Sequence, residues 1–188
     1  MYAKEPGLAT SIFGDRELPR RHKPRARIPA TNRSSATIIE SHIGWGATIV
    51  TATPELIAAY KKALYVVFGR PELVLRIGER NPDLDELLEA EGAATAAYIT
   101  AANPRGEART AWQNEIANAA LVELQTKAGH ACYEGEGRDP EERWTPERSV
   151  LVIGISRLDA EAVGRAFEQN AIVFVEKGRA PELVVLKE

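Results

Sequence analysis

Residues 144–178, WTPERSVLVIGISRLDAEAVGRAFEQNAIVFVEKG, carry the reading that decides the fold. The apolar run 150–155, interrupted only by Gly154, is the pattern of a strand covered on more than one side, not of a half-wet alternating one. Ser156 can accept a hydrogen bond from the free backbone N–H groups of a helix start, and Asp159 stands where a capping box places its carboxylate. Leu158, Ala162, Val163, Ala166 and Phe167 follow at helical spacing, which predicts that this face packs on the sheet. Glu168, Gln169 and Asn170 end the helix, and residues 171–175 begin a second apolar strand.

Upstream, Thr53-Pro54 is a helix cap followed by a favoured first residue. Leu56, Ala59, Tyr60, Ala63 and Val67 continue an apolar face as far as Gly69. Residues 73–77 are expected to form a short strand. Asn81-Pro82 opens a helix that Gly92 ends, and residues 95–101 form a strand. After a turn at 103–106 the spacing predicts a long helix over 107–128 that buries Trp112, Ile116, Ala120 and Leu124. A short strand at 131–133, a charged loop over 134–147 and a last strand at 183–186 complete the chain.

The expected fold is therefore α+β. A ferredoxin-like βαββαβ core with a mainly antiparallel sheet and both helices on one face begins at residue 95. An α-β-α segment precedes it and an extra C-terminal strand follows. Tracing strand directions brings the connections 103–106, 134–147 and 168–170 to one end of the sheet.

With 188 residues and 44% hydrophobic content, the chain can bury one core of good size. The expected organisation is a disordered basic leader over 1–35, a β-prone arm over 36–52 and one globular domain over 53–188. The arm can be a strand, a hairpin or a segment docked elsewhere. The leader holds eight Lys/Arg against three Asp/Glu, so any nucleic-acid contact is expected there. A single cysteine, Cys132, excludes an internal disulfide and points to a reducing, cytoplasmic setting. Three scattered histidines supply no metal motif, the sequence leaves any cofactor unknown, and no apolar run is long enough to cross a bilayer.

Candidate chemistry gathers at the shared end. Asn103 and Arg105 precede a helix start, where an anion can be held by backbone N–H groups and a guanidinium. Asn114, Trp144, Gln169 and Asn170 complete the expected ligand-binding set. Glu147 and Glu136 are the expected catalytic carboxylates among the acids of 134–147. Each has a plain structural alternative: a capped turn, a satisfied amide, a solvated acid. The GEG of 135–137 precedes no helix and is no dinucleotide fingerprint.

AYITAANPRG (97–106), Asn114, GEGRDP (135–140), WTPERSVLVIGI (144–155) and GRAFEQNAIVF (164–174) together resemble the bacterial family catalogued as domain of unknown function 3293, over about residues 55–186. That resemblance implies no activity. Two readings follow: a binder of, or enzyme acting on, an anionic small molecule at this loop end, or a non-enzymatic protein- or nucleic-acid-interaction module using the sheet face or the basic arm. The sheet lacks the aromatic pair of an RNA-binding surface.

Overall fold

The structure, a computed structural model, describes residues 53–69 and 71–186 together with the backbone of Arg21–His22. Its elements are β1 (Arg21–His22), α1 (Pro54–Lys62), β2 (Leu64–Val67), β3 (Leu73–Leu75), α2 (Pro82–Ala90), β4 (Thr95–Ile99), α3 (Ala111–Lys127), β5 (Ala131–Arg138), β6 (Glu147–Ile153), α4 (Arg157–Ala166), β7 (Ala171–Glu176) and β8 (Glu182–Val185), with a short 3₁₀ turn at Pro104–Gly106. The strands form one sheet in the order β3-β2-β5-β6-β4-β7-β8, with β1 also on β5, and every pairing is antiparallel. The fold is α+β.

The central strands are apolar on both sides because both sides are covered. On one face Ala97, Ile99, Val150, Val152, Ile172 and Phe174 pack with Leu121 of α3 and Ala160 of α4. On the other, Ala96, Tyr98, Leu151, Ile153 and Val173 pack with Leu84, Leu87 and Leu88 of α2. The two helices α3 and α4 thus share a face, as expected, and α2 supplies the opposite layer. Thr53, Asn81, Thr110 and Ser156 cap the four helices through their side chains, which satisfies N–H groups that have no partner within the helix.

Several local expectations are corrected. The first helix stops at Lys62, and LYVV of residues 64–67 is strand β2, paired with β3 and β5. No glycine or proline separates the two, so periodicity alone ran the helix on, whereas an aromatic and two valines suit a paired strand. The supposed loop 134–147 is sheet at both its ends: β5 continues to Arg138 and β6 starts at Glu147, in unbroken register from Ala131↔Ile153 to Gly137↔Glu147, and only 139–146 connect them. Arg21–His22, inside the expected leader, pair with Tyr133 and Cys132. There β2 no longer covers the β5 edge, since its pairing reaches only residues 135–138, and an open edge recruits a strand. The rest of 1–52, including the β-prone arm, lies outside the described residues.

The faces of α3 and α4 also differ from the expected ones. The buried side of α3 is Asn118, Leu121 and Gln125; Trp112, Ile116 and Leu124 are 73%, 50% and 48% exposed. On α4, Val163 and Phe167 pack against the core as expected, but Ala160 and Gly164 are its buried residues and Leu158 is exposed. The i, i+4 spacing of the apolar residues was real, but tertiary packing chose the neighbouring stripe, where small and amide side chains let the helix lie close to the sheet. Trp112→Gln is therefore expected to cost less than about 1 kcal/mol in urea denaturation, against the roughly 3–5 kcal/mol of a core tryptophan. A loss of the larger size would show that something covers this stripe.

No helix among the described residues is long and apolar enough to cross a membrane.

Candidate functional site

Strand alternation selects one face at the end where β4 leaves the sheet and β6 enters it. Odd-numbered residues of β6 point toward the α2 side, so Glu147 and Ser149 continue the inward row of Leu151 and Ile153. Tyr98 occupies that face on β4 and Tyr65 on β2, while β5 presents Gly135 and Gly137. The register sets Gly137 between Glu147 on one side and Tyr65 on the other. With no side chains on β5 at this end, a space remains. It is a cavity of about 80 Å³ lined by Tyr60, Tyr65, Tyr98, Trp144, Glu147 and Gln169 among others.

The loop after β4 is pinned to this cavity by amides. Asn103 donates through Nδ2 to Glu147 Oε1 at 3.2 Å, and its Oδ1 accepts from Asn114 Nδ2 at 2.9 Å and from the Arg109 N–H at 2.9 Å. Asn114 Oδ1 in turn accepts from the Asn103 N–H at 2.9 Å. Gln169 donates to the carbonyl of Ala102 at 3.0 Å, and Asn170 reaches the Tyr60 hydroxyl at 3.5 Å. Asn103, Arg105 and Glu168 all adopt positive φ, at 45°, 59° and 56°. That conformation is natural for asparagine and uncommon for the other two; clustered strain of this kind is typical of functional loops.

Arg105 faces Glu168. The two side chains form an ion pair, and the Arg105 N–H donates to the Glu168 carbonyl at 2.8 Å. The guanidinium is half exposed and does not line the cavity. Six expected site residues, Asn103, Arg105, Trp144, Glu147, Gln169 and Asn170, thus meet at one end of the sheet, with Asn114 behind Asn103. Three of them, Trp144, Glu147 and Gln169, line the cavity itself.

Glu136 does not join them. In the unbroken β5 register it alternates with Gly135 and Gly137, which puts it on the opposite face from Glu147. There Arg138 donates to it at 2.7 Å and grips Glu72 through two nitrogens. The expectation of Glu136 as a partner carboxylate fails on strand parity, because the segment was read as a loop in which parity has no meaning. Other acids of the segment are also paired: Glu134 with Arg148, and Asp139 with Arg143, whose guanidinium holds Asp139 down to about 2.

Glu147 is different. No cation stands within ion-pair distance of it among the described residues. Burial pushes its carboxyl up to about 7, opposed by the hydrogen bond from Asn103, since an ionised carboxylate loses hydration that a single amide does not replace. Burial likewise raises the Tyr60 and Tyr98 hydroxyls. Cys132 lies on the far face in the α3–α4 core, its thiol pushed up to about 12 by burial, which makes it an inert packing group.

Sequence reading missed Tyr60, Tyr65, Tyr98, Thr100 and Ser149 as lining residues. Ser149 was reachable by parity with Glu147, and Tyr98 and Thr100 by alternation along AYITA; the two from α1 and β2 were hidden by the misread helix.

Residues 99–172 match the family described as a protein of unknown function (DUF3293), so this segment is similar to that family's domain. The matched span contains the whole Asn103–Glu147–Gln169 constellation and leaves out Tyr60 and Tyr65. No curated protein and no solved structure matches the chain.

Proposed function

We propose that this chain binds a small molecule in the Glu147 cavity, and that Glu147 acts there as a general acid or base. The observation that carries this is the state of Glu147: a carboxyl without a cationic partner, aimed by an Asn114–Asn103 relay, with a proton affinity near neutral pH. A group so tuned can give or take a proton under ordinary conditions, and structural carboxylates such as Asp139 are tuned the other way. Asn103 and Asn114 are positioning residues, Trp144 a wall and Gln169 a polar contact. Arg105 and Asn170 hold the loops, so the expected role of Arg105 as an anion clamp passes to a loop brace.

The scaffold for this site is, in our reading, a ferredoxin-like unit. The support is the order β5-β6-β4-β7, wholly antiparallel, with α3 and α4 on one face. A cytoplasmic location fits the buried reduced cysteine. The alternative is an interaction module using the sheet face, whose central strands are covered by α2 on one side and by α3 and α4 on the other, or the basic arm, of which only the backbone of Arg21–His22 is described.

A thermal-shift screen against soluble metabolites tests the reading, because a ligand at a hundred times its Kd adds about 2.7 kcal/mol. For any ligand found, Trp144→Ala and Glu147→Gln are expected to weaken the shift at least tenfold in concentration, and Arg105→Ala to leave it within about twofold. A ligand whose effect survives both cavity variants would place the binding site elsewhere.

A further inference from the structure

The donors and acceptors around the cavity are unequally spent. Tyr65 donates its hydroxyl hydrogen to the Tyr60 carbonyl at 2.7 Å, and Tyr98 donates to the Val66 carbonyl at 2.6 Å. Thr100 donates to the Arg148 carbonyl at 2.8 Å and accepts from the Ala102 N–H at 3.0 Å, and Ser149 lies 3.0 Å from the Glu147 carbonyl in donating geometry. Gln169 directs its amide nitrogen at two carbonyls, of Ala102 and Phe167. A hydroxyl has one hydrogen and a primary amide two, so these side chains have acceptor lone pairs left and little to donate. Glu147 adds a carboxylate whose second oxygen, Oε2, has no hydrogen-bond partner among the described residues. The Tyr60 hydroxyl, which accepts from Asn170, is the one lining hydroxyl among the described residues whose hydrogen no protein acceptor takes.

The walls are aromatic as well. Tyr65 and Tyr98 meet edge to face, 5.5 Å between centroids and 74° between planes, and both line the cavity. Trp144 closes the side above Gly137, where an added Cβ would lie 3.7 Å from its Cη2. No lysine, arginine or histidine is among the described lining residues.

An acceptor-lined aromatic pocket with a single carboxylate is complementary to a compact cation rich in N–H groups. Rings attract a cation through their faces, unspent acceptors take its hydrogens, and Glu147 neutralises its charge. The geometry points to a ligand that presents a primary ammonium group to Glu147 between Tyr65, Tyr98 and Trp144. The cavity volume of about 80 Å³ suits such a headgroup and not a bulky one; about 10–15 Å³ of this measure holds one water. This inference rests on the Glu147 site proposed above and fixes its ligand class. It replaces the anionic ligand expected from the sequence, because Arg105, on which that expectation stood, is paired with Glu168 outside the lining.

Binding is then linked to pH. The titratable groups facing Glu147 are Tyr60 on α1, Tyr65 on β2 and Tyr98 on β4, all shifted upward and so neutral up to pH 9. Affinity for an ammonium ion is expected to fall about tenfold per pH unit as pH drops below 7, where Glu147 holds its own proton, and to level off above pH 8.

The test is an NMR titration of the full chain, followed at the Trp144 indole and the backbone amides of Gly137, Ser149 and Gln169. The probes are methylammonium, tetramethylammonium, acetamide, acetate and inorganic phosphate, with Glu147→Gln as the control variant. Methylammonium is expected to bind at least tenfold tighter than acetamide or tetramethylammonium, and Glu147→Gln to remove that preference. Saturable shifts at these residues with acetate, phosphate or acetamide, equal to or stronger than those with methylammonium, would overturn the ammonium assignment while leaving the cavity a ligand site. Silence from all five probes at these residues would overturn the assignment and the site reading together.

Discussion

Gly135→Ala is expected to destabilise the protein by about 4 kcal/mol, which is a large part of the stability of an ordinary domain. A Cβ built at Gly135 would lie 2.0 Å from the Val66 carbonyl oxygen and 2.6 Å from the Tyr98 hydroxyl. Neither neighbour can yield cheaply. The carbonyl belongs to β2, held to β5 from Leu64↔Arg138 to Val67↔Gly135, and the hydroxyl is buried in a 2.6 Å hydrogen bond to that same carbonyl. Overpacking of this kind costs about 1–3 kcal/mol, and an orphaned buried hydroxyl costs about as much again. Gly137→Ala, two residues on along the same face, meets only Trp144 at 3.7 Å and is expected to change stability by less than about 1 kcal/mol. Urea denaturation of the two variants side by side checks the contrast. Equal costs would mean that β2 and Tyr98 yield freely, and that the close approach of Tyr98 to β2 does not set the cavity wall.

The pair also shows what a sequence could and could not disclose. GEG invites comparison with phosphate-binding loops, but it lies inside β5 and no helix follows it. Its actual role depends on β5 reaching Arg138, which only the pairing with β2 and β6 establishes. Glycine at 137 leaves out a side chain that would project into the cavity beside Trp144 and Glu147, and glycine at 135 lets Tyr98 and β2 close on the strand. Residues 150–153 and 171–175, by contrast, were legible as strands, because a continuous apolar run has few other uses than a strand covered on both faces, although Gly154 and Ile155 of the first run lie beyond the strand's end. The helix starts at Pro54, Pro82 and Arg157 were legible for a similar reason: a capping side chain acts within three residues of itself.

The candidate site was legible to the extent that topology controls it. Strand directions alone brought Asn103, Arg105, Trp144, Glu147, Gln169 and Asn170 to one end, although they span 103 to 170 in the chain. Which face each occupies was not legible, since face assignment needs the true strand limits: a loop reading of 134–147 left Glu136 and Glu147 equivalent, and sheet parity separates them. The α3 stripe failed for a related reason. Trp112, Ile116 and Leu124 have helical spacing, but spacing cannot say which of two adjacent stripes a sheet will accept when the other offers Leu121 between Asn118 and Gln125.

Glu147→Gln is expected to make the protein more stable at neutral pH while abolishing its ligand chemistry. The folded carboxyl titrates at about 7 against an ordinary value of 4.5. A raised carboxyl means that the native state holds its proton more tightly than the unfolded chain does. Below pH 4.5 both states are protonated, and Glu147 contributes nothing to pH dependence. Between pH 4.5 and 7 the unfolded chain releases the proton and the native state keeps it, so stability declines as pH rises. Above pH 7 the buried carboxylate is charged in the native state, and the full penalty is about 3 kcal/mol. Glutamine has nearly the same shape, keeps an acceptor for Asn103 Nδ2 and carries no charge, so the variant should match the parent near pH 4.5 and exceed it by about 3 kcal/mol at pH 8. That corresponds to a Tm gain of roughly 6–12 °C for a chain of this size. Thermal and urea unfolding across pH 4.5–8 measure the divergence. Curves that run parallel over the whole range would show Glu147 titrating as a solvated surface acid, and the case for a poised group in this cavity would go with it. A divergence that opens between pH 4.5 and 7 and then holds constant would identify Glu147 as a residue held in place at a cost to folding, as expected of a group kept for its chemistry and not for its packing.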